Sequence, residues 1–254
     1  MPDALIGHTG FVGGNLLCQR PFEALFNSKN IQEIRGKEYD VLVCSGAPAE
    51  KWKANKEPER DWEILQGLMG HLREVSARKV ILISTVDVYP SPVEVDEDSL
   101  IDWEKAGAYG RHRRRLELFL QERFDTLVVR LPGLFGPGLK KNVVYDFLHD
   151  NRVEAINSEG VFQFYDLGNL WRDVQTALAH GLGVVNFTAE PVRVSELARE
   201  AFAREFHQPM PGPARYDLRS KHAALYGGRN GYFYDRGQVL RAMKAFVDSS
   251  RRQA

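Results

Sequence analysis

Ala4-Leu5-Ile6-Gly7-His8-Thr9-Gly10-Phe11-Val12-Gly13 opens the chain with a short apolar run and three glycines spaced three residues apart. The run reads as a buried strand, and Phe11 to about Gln19 as the helix that follows it. Each glycine between them has its own reason. Gly7 permits the tight turn out of the strand, Gly10 lets the backbone approach a pyrophosphate, and Gly13 lets the helix pack close to the strand. The helix N-terminus then offers N–H groups without intrahelical partners, and the positive end of its dipole, to phosphates. Thr9, Phe11 and Val12 belong to the same phosphate-binding turn. A lone glycine triplet is a weak signal, but here a strand precedes it and a helix follows, as a dinucleotide-binding loop requires.

The alternation continues along the chain. Asp40–Cys44, Lys79–Ser84 and Thr126–Arg130 are strands that are mostly apolar rather than alternating. Trp62, Leu65, Leu68, Met69, Leu72 and Val75 recur at helical spacing between Glu59 and Ser76, and a further helix is expected from Ala108 to Arg123. Strands of this kind alternating with helices predict a parallel sheet covered on both faces. The fold class is therefore α/β, a Rossmann-type doubly wound parallel sheet over residues 1–135. Beyond Arg130 the pattern loosens. A strand at Val184–Phe187 and helices near Leu167–His180, Ser195–Phe206 and Arg236–Val247 predict a small mixed α/β substrate region over 136–254. That region partly returns to the core sheet, so the chain is expected to form a single unit.

Composition narrows the function classes. Lysines and arginines balance aspartates and glutamates at 34 each over 254 residues, so no global field favours nucleic acid or an anionic membrane. Cys18 and Cys44 are the two cysteines, and both read as packing residues rather than a disulfide or metal site. The N-terminus runs directly into a strand, with no signal peptide. No apolar run approaches the roughly 18 residues of a membrane span. A reduced, cytoplasmic setting is expected, with no metal, membrane or nucleic-acid partner.

A carboxylate about twenty residues beyond the glycine loop would hold the ribose 2′-hydroxyl of NAD. Phe26-Asn27-Ser28-Lys29-Asn30 contains none. Either Asn27, Ser28 and Lys29 meet a 2′-phosphate, which puts NADP ahead of NAD, or they form a solvated turn. Ser45 and Gly46 after the second strand, together with Ser84 and Pro132, complete the expected cofactor-binding set.

Two later segments carry chemistry. Ile83-Ser84-Thr85-Val86-Asp87-Val88-Tyr89 places hydroxyls at the carboxyl end of a parallel strand, the edge where open α/β sheets bind ligands. Ala108-Tyr109-Gly110-Arg111-His112-Arg113 opens a helix on which Tyr109 and Arg113, at i and i+4, share a face. With these segments the chain resembles an extended short-chain dehydrogenase/reductase of the NAD-dependent epimerase/dehydratase family. The glycine loop is similar to that family's Gly-x-x-Gly-x-x-Gly, and Ser84–Tyr89 to its Ser-Thr/Ser-x-x-Val-Tyr. Tyr109-Gly110 is similar to Tyr-Gly-x-x-Lys, and Arg130–Gly138 to Arg-x-x-x-x-Tyr-Gly-Pro-Gly. Asn186-Phe187 and Val192–Ala198 resemble a recurring late segment. The matching segments run in the expected order from about residue 4 to 202.

The resemblance implies roles. Tyr109 is the general acid/base while hydride moves to or from the nicotinamide, and Thr85 hydrogen-bonds the same substrate oxygen. The family's lysine, four residues after the tyrosine, holds the nicotinamide ribose and lowers the tyrosine pKa. Here Arg113 stands in its place. A cation about 4 Å from the phenol would stabilise the phenolate by roughly 4 kcal/mol at an effective dielectric near 20. That corresponds to lowering the phenol by about 3 pH units. Arginine carries the same charge but does not readily release a proton. Three readings follow: a slower catalytic substitute, the mark of a non-catalytic dinucleotide sensor, or a side chain pointing elsewhere.

His112 reads as an exposed or packed helix residue, and Arg111–Arg115 as a solvated face. A sugar or nucleotide-sugar substrate is implied for the later region. Asp87, Lys141, Asn142 and Gln163 are its candidate contacts, with a surface turn the alternative for Lys141 and Asn142. Relatives often pair through the tyrosine helix and its neighbour, so a homodimer is also implied.

Overall fold

Strand β1 (Ala4–Ile6) lies inside a sheet because all of its side chains are apolar and buried. The structure is a computed structural model that describes residues 1–253. From β1 the chain passes through the glycine turn into α1 (Phe11–Gln19), then β2 (Ala24–Phe26) and β3 (Glu38–Cys44). Helices α2 (Lys51–Lys56) and α3 (Pro58–Leu72), strand β4 (Ser76–Thr85), helix α4 (Ala108–Arg123) and strand β5 (Thr126–Leu131) follow. Next come β6 (Gly133–Phe135), α5 (Val143–Leu148), β7 (Val161–Phe162), β8 (Phe164–Asp166) and α6 (Leu170–Ala179). The chain ends with β9 (Val184–Asn186), β10 (Val192–Arg193), α7 (Val194–Phe202) and α8 (Arg236–Gln253).

The main sheet has the order β2-β1-β3-β4-β5-β9. β1 pairs in parallel with β2 and β3, with Ile6 opposite both Phe26 and Cys44. The carboxyl ends of these strands are therefore level, and the loops that leave them start at one edge. Helices α1 and α6 pack on each other, as do α3 and α4. This is the doubly wound Rossmann-type arrangement. Its strand order reverses beside β1, and such a reversal opens the ligand crevice of these sheets.

The chain divides into two compact units. The first comprises residues 1–91, 99–130 and 170–185, and the second 92–98, 131–169 and 186–254. The chain passes from the first unit to the second at 130/131, and residues 92–98, between β4 and α4, belong to the second. The core of the first unit packs Leu65, Leu68 and Leu72 of α3 and Leu116 and Leu120 of α4 with Val80, Leu82 and Val128. These helix positions recur at three and four residues, the spacing of one buried stripe. In the second unit Val239, Met243 and Val247 of α8 join Leu197 and Ala201 of α7, with Phe135 and Phe147, in a separate core. There β6 pairs with β8 in parallel and β7 with β10 antiparallel.

The basic run on α4 is not a solvated face. Arg113 pairs with Asp61 and Arg114 with Glu117, while the Arg115 guanidinium lies 3.6 Å above the Trp62 ring. Among the described residues no helix is long and apolar enough to cross a membrane. Cys18 is exposed, unlike the packed residue expected, whereas Cys44 is buried and burial pushes its thiol up to about 11.

Glu117 is completely buried on α4. It accepts from Ser84 Oγ at 2.6 Å, from Arg130 Nε and Nη2 at 3.0 and 2.8 Å, and from Arg114 Nη1 at 2.8 Å. Removing one member of such a network leaves charges buried without partners, at about 3–5 kcal/mol. Glu117→Ala is therefore expected to lose stability on that scale. Urea denaturation against the unsubstituted chain measures it, and a loss under about 1 kcal/mol would contradict the assignment.

Candidate active site

The glycine turn is shaped by close backbone approach. Gly7 has φ +86°, and a Cβ on it would lie 2.4 Å from the Ser45 carbonyl oxygen. A Cβ on Gly13 would lie 2.1 Å from the Gly7 carbonyl oxygen, while Gly10 has slightly more room, 3.2 Å from the same atom. The Gly10 N–H donates to Gly7 O at 2.9 Å and closes the turn. Helix α1 has no side-chain cap and no acid in its first turn. The first N–H groups of a helix lack intrahelical acceptors, so those of Phe11, Val12 and Gly13 suit a phosphate. This cradle fits a dinucleotide pyrophosphate. Ser45 closes it from β3, with its N–H and hydroxyl both donating to Ile6 O, at 3.0 and 2.7 Å. A Cβ on Gly46 would press on Ile6 Cγ2 at 2.8 Å.

At the end of β2, Asn27 Oδ1 accepts the Lys29 N–H at 2.9 Å, and the Asn27 N–H donates to Asn30 Oδ1 at 2.7 Å. The Asn27 side chain thus builds the turn, whereas Ser28 and Lys29 are exposed. His8 Nδ1 lies 3.2 Å from Phe26 O and brings the glycine loop to this turn.

The second half of the site forms where β4 ends and α4 begins. Thr85 Oγ1 accepts the Asp87 N–H at 3.2 Å and turns the chain out of the strand. Gly110 then fits against that turn, because a Cβ there would lie 1.9 Å from the Asp87 carbonyl oxygen. The Tyr-Gly pair therefore reflects helix-to-loop contact. Gly107 gives α4 no side-chain cap. Asn55 of α2 supplies an acceptor instead, with its Oδ1 3.0 Å from the Tyr109 N–H. Tyr109 is buried. Burial is the main cause of a phenol held above its ordinary value, and Asp87 adds to it. Arg113, the Thr85 hydroxyl and Lys51 act the other way.

Arg113 therefore acts in the expected direction, but burial outweighs it. The guanidinium lies 4.1 Å above the Tyr109 ring centroid, over the face of the ring. Its Nη1 donates to Asp61 at 2.5 Å and its Nη2 to the Pro48 carbonyl at 2.5 Å, with Nε buried and unpartnered. Asp61, on α3, also lies 2.7 Å from His112 Nδ1. His112 is thus a packed, paired residue. Asp61, Asn55 and Lys51 carried no recognisable motif. The available signal was the i, i+4 spacing of Lys51 and Asn55 in a polar stretch.

Ser84 faces inward instead of toward a ligand, because its hydroxyl serves the buried Glu117. In the second unit Asn142 caps α5, accepting from Val144 and Tyr145 N–H at 3.0 and 3.2 Å and donating to Leu134 O at 2.8 Å. Gln163 is buried, donates to Ala189 O and Leu218 O, and accepts the Leu218 N–H at 2.7 Å. Both amides are held by backbone and are poor diphosphate ligands. Lys141 is exposed and Pro132 half-buried. Asp87 pairs with Lys51 Nζ at 2.8 Å.

No protein-family profile matches the chain, and no curated protein matches its sequence. Solved structures do match. A dTDP-4-dehydrorhamnose reductase, an RfbD ortholog from Clostridium acetobutylicum, superposes with TM-score 0.74 at 17% identity, covering 99% of this chain and 100% of that one. RMD from Pseudomonas aeruginosa, complexed with NADPH, gives TM-score 0.71 at 17% identity over 98% and 100% of the two chains. A UDP-glucuronic acid 4-epimerase mutant from Bacillus cereus, with NAD and UDP-4-deoxy-4-fluoro-glucuronic acid, gives 0.72 at 14% identity over 100% of both. The chain has the fold of these reductases and epimerases.

Gly110→Ala forces a methyl group onto the Asp87 carbonyl. The expected cost is about 1–3 kcal/mol, together with displacement of Tyr109. Thermal denaturation and a crystal structure of the variant would check both, and an unmoved helix α4 would contradict the contact.

Proposed function

We propose that this chain is a nicotinamide-dinucleotide-dependent oxidoreductase or epimerase acting on a carbonyl or secondary alcohol of a sugar or nucleotide sugar. The observation that supports it most is the contact of Gly110 with the Asp87 carbonyl, which sets the buried Tyr109 beside the turn where Thr85 ends β4. Thr85 ends β4 of the sheet whose strand β1 leads into the uncapped helix α1. When bound, the dinucleotide supplies or accepts hydride. Tyr109 gives its proton to the substrate oxygen in reduction and takes one in oxidation, and Thr85 donates a hydrogen bond to that oxygen. The NAD- and NADPH-bound structures sharing the fold support the cofactor class.

Reduction is the favoured direction. Burial holds the Tyr109 phenol protonated above its ordinary value, so the acid form is present through neutral pH. Reduction rates are expected to be flat there and to fall only in alkali, whereas oxidation, which needs the phenolate, rises with pH. Tyr109→Phe is expected to lower turnover about 100- to 10,000-fold while cofactor affinity holds. NADPH oxidation over a panel of keto-sugars, with fluorescence titration of NADPH, measures both. Unchanged turnover would remove the acid/base role.

NADP is the preferred cofactor, on the strength of exposed Ser28 and Lys29 in a turn without a carboxylate. Lys29→Ala is expected to weaken NADPH about tenfold or more and to leave NADH unaffected. Equal losses for both cofactors would count against a 2′-phosphate contact. Exposed Ile64 on α3 and Leu118 on α4 suit a homodimer through those helices.

One observation favours a second reading. Arg113 is held by Asp61 and Pro48 through its two terminal nitrogens, as suits a dinucleotide sensor without turnover. Tight cofactor binding with no turnover, unchanged in Arg113→Lys, would support it.

A further inference from the structure

Arg113 stands in the place of the family's lysine and its charge lowers the Tyr109 phenol, yet burial outweighs it. Its guanidinium is matched by Asp61 and lies over the ring face. A second cation stands nearby. Lys51 opens α2, and Asn55 lies one turn later on the same helix face. Asn55 accepts the Tyr109 N–H at 3.0 Å, and Lys51 Nζ lies 2.8 Å from Asp87 Oδ1. Asp87 is itself fixed against the tyrosine helix by the Gly110 contact. One short helix therefore holds both the backbone of Tyr109 and the carboxylate beside it. The charged groups acting on Tyr109 are Arg113 from α4, Asp87 from the turn after β4 and Lys51 from α2. Of these, Asp87 is the one that opposes ionisation of the phenol, as an anion beside an acid does.

We propose that Lys51 is a positioning residue for Tyr109: by holding Asp87 in an ion pair, it neutralises the carboxylate beside the acid/base and does part of the work of the lysine that Arg113 replaces. This rests on the reading of Tyr109 as acid/base. The pair transfers no proton. It sets the field in which Tyr109 gives up its own.

The test places a fluorinated tyrosine, whose phenol ionises at lower pH, at position 109 of the full chain and follows its ionisation by fluorine NMR. Lys51→Met is expected to raise the midpoint by about half a pH unit or more. Lys51→Arg, which keeps the charge, is expected to restore it. Asp87→Asn alone is expected to lower the midpoint, and in the Lys51→Met background to cancel the rise. A purely structural role would not produce cancellation by removing a second charge. An unmoved midpoint in Lys51→Met, or a rise that persists with Asp87→Asn, would overturn the proposal. Should Lys51→Met not fold, Asp87→Asn and Lys51→Arg still decide it, since a midpoint indifferent to Asp87 is fatal. Keto-sugar reduction by the unsubstituted chain judges the acid/base reading separately. If turnover is absent that reading falls, while the midpoints still report the Lys51–Asp87 coupling. With turnover, the pH profile of kcat is expected to move with the midpoint and cofactor affinity to stay constant.

Discussion

Glu117 sits in the interior of the first unit with no access to water, and an ionised carboxylate there must be supplied with donors. Those donors come from three elements at once: Ser84 on β4, Arg130 on β5 and Arg114 on α4. Arg130 also donates to the Tyr89 hydroxyl at 2.8 Å, which fixes the turn after β4 from its far end. Helix α4 is thereby tied to two neighbouring strands through one residue two turns along from Tyr109. The register of α4 sets where Tyr109 meets Thr85, and the Gly110 contact fixes how closely the helix approaches the Asp87 turn. Fold energetics and site geometry thus depend on the same network.

The parts legible in the sequence were those in which residue type follows from backbone sterics. Gly7 and Gly13 leave no room for a Cβ, so the loop could be read from spacing alone. The fully apolar strands predicted the covered parallel sheet for a similar reason. Tyr109 and Thr85 were found as members of an ordered set of motifs. Polar residues were far less legible. Ser84, Asn142 and Gln163 are chemically suited to a ligand, but in the structure each satisfies protein groups instead: a buried carboxylate, a helix terminus and loop backbone. A buried polar side chain must be hydrogen-bonded, and its identity does not say whether the partner is ligand or backbone. The basic run on α4 misled likewise, because the partners Asp61 and Trp62 lie on another helix.

The replacement at position 113 becomes intelligible through the same reasoning. Guanidinium is planar, carries donors in several directions and tolerates burial when acceptors meet them. Asp61 and the Pro48 carbonyl meet them here, and the ring of Tyr109 takes the remaining face. Arg113 and Asp61 therefore act as one unit, largely self-compensated, and a cation so matched moves a neighbouring phenol less than an unpaired one would. That explains why burial prevails at Tyr109 despite a guanidinium against its ring. The pair Asp87 and Lys51 adds a second electrostatic influence on the tyrosine, and its separation of 2.8 Å depends on where α2 docks. Because Asn55 fixes that docking through the Tyr109 backbone, helix α2 is bound to the acid/base twice, once by its peptide and once through its field.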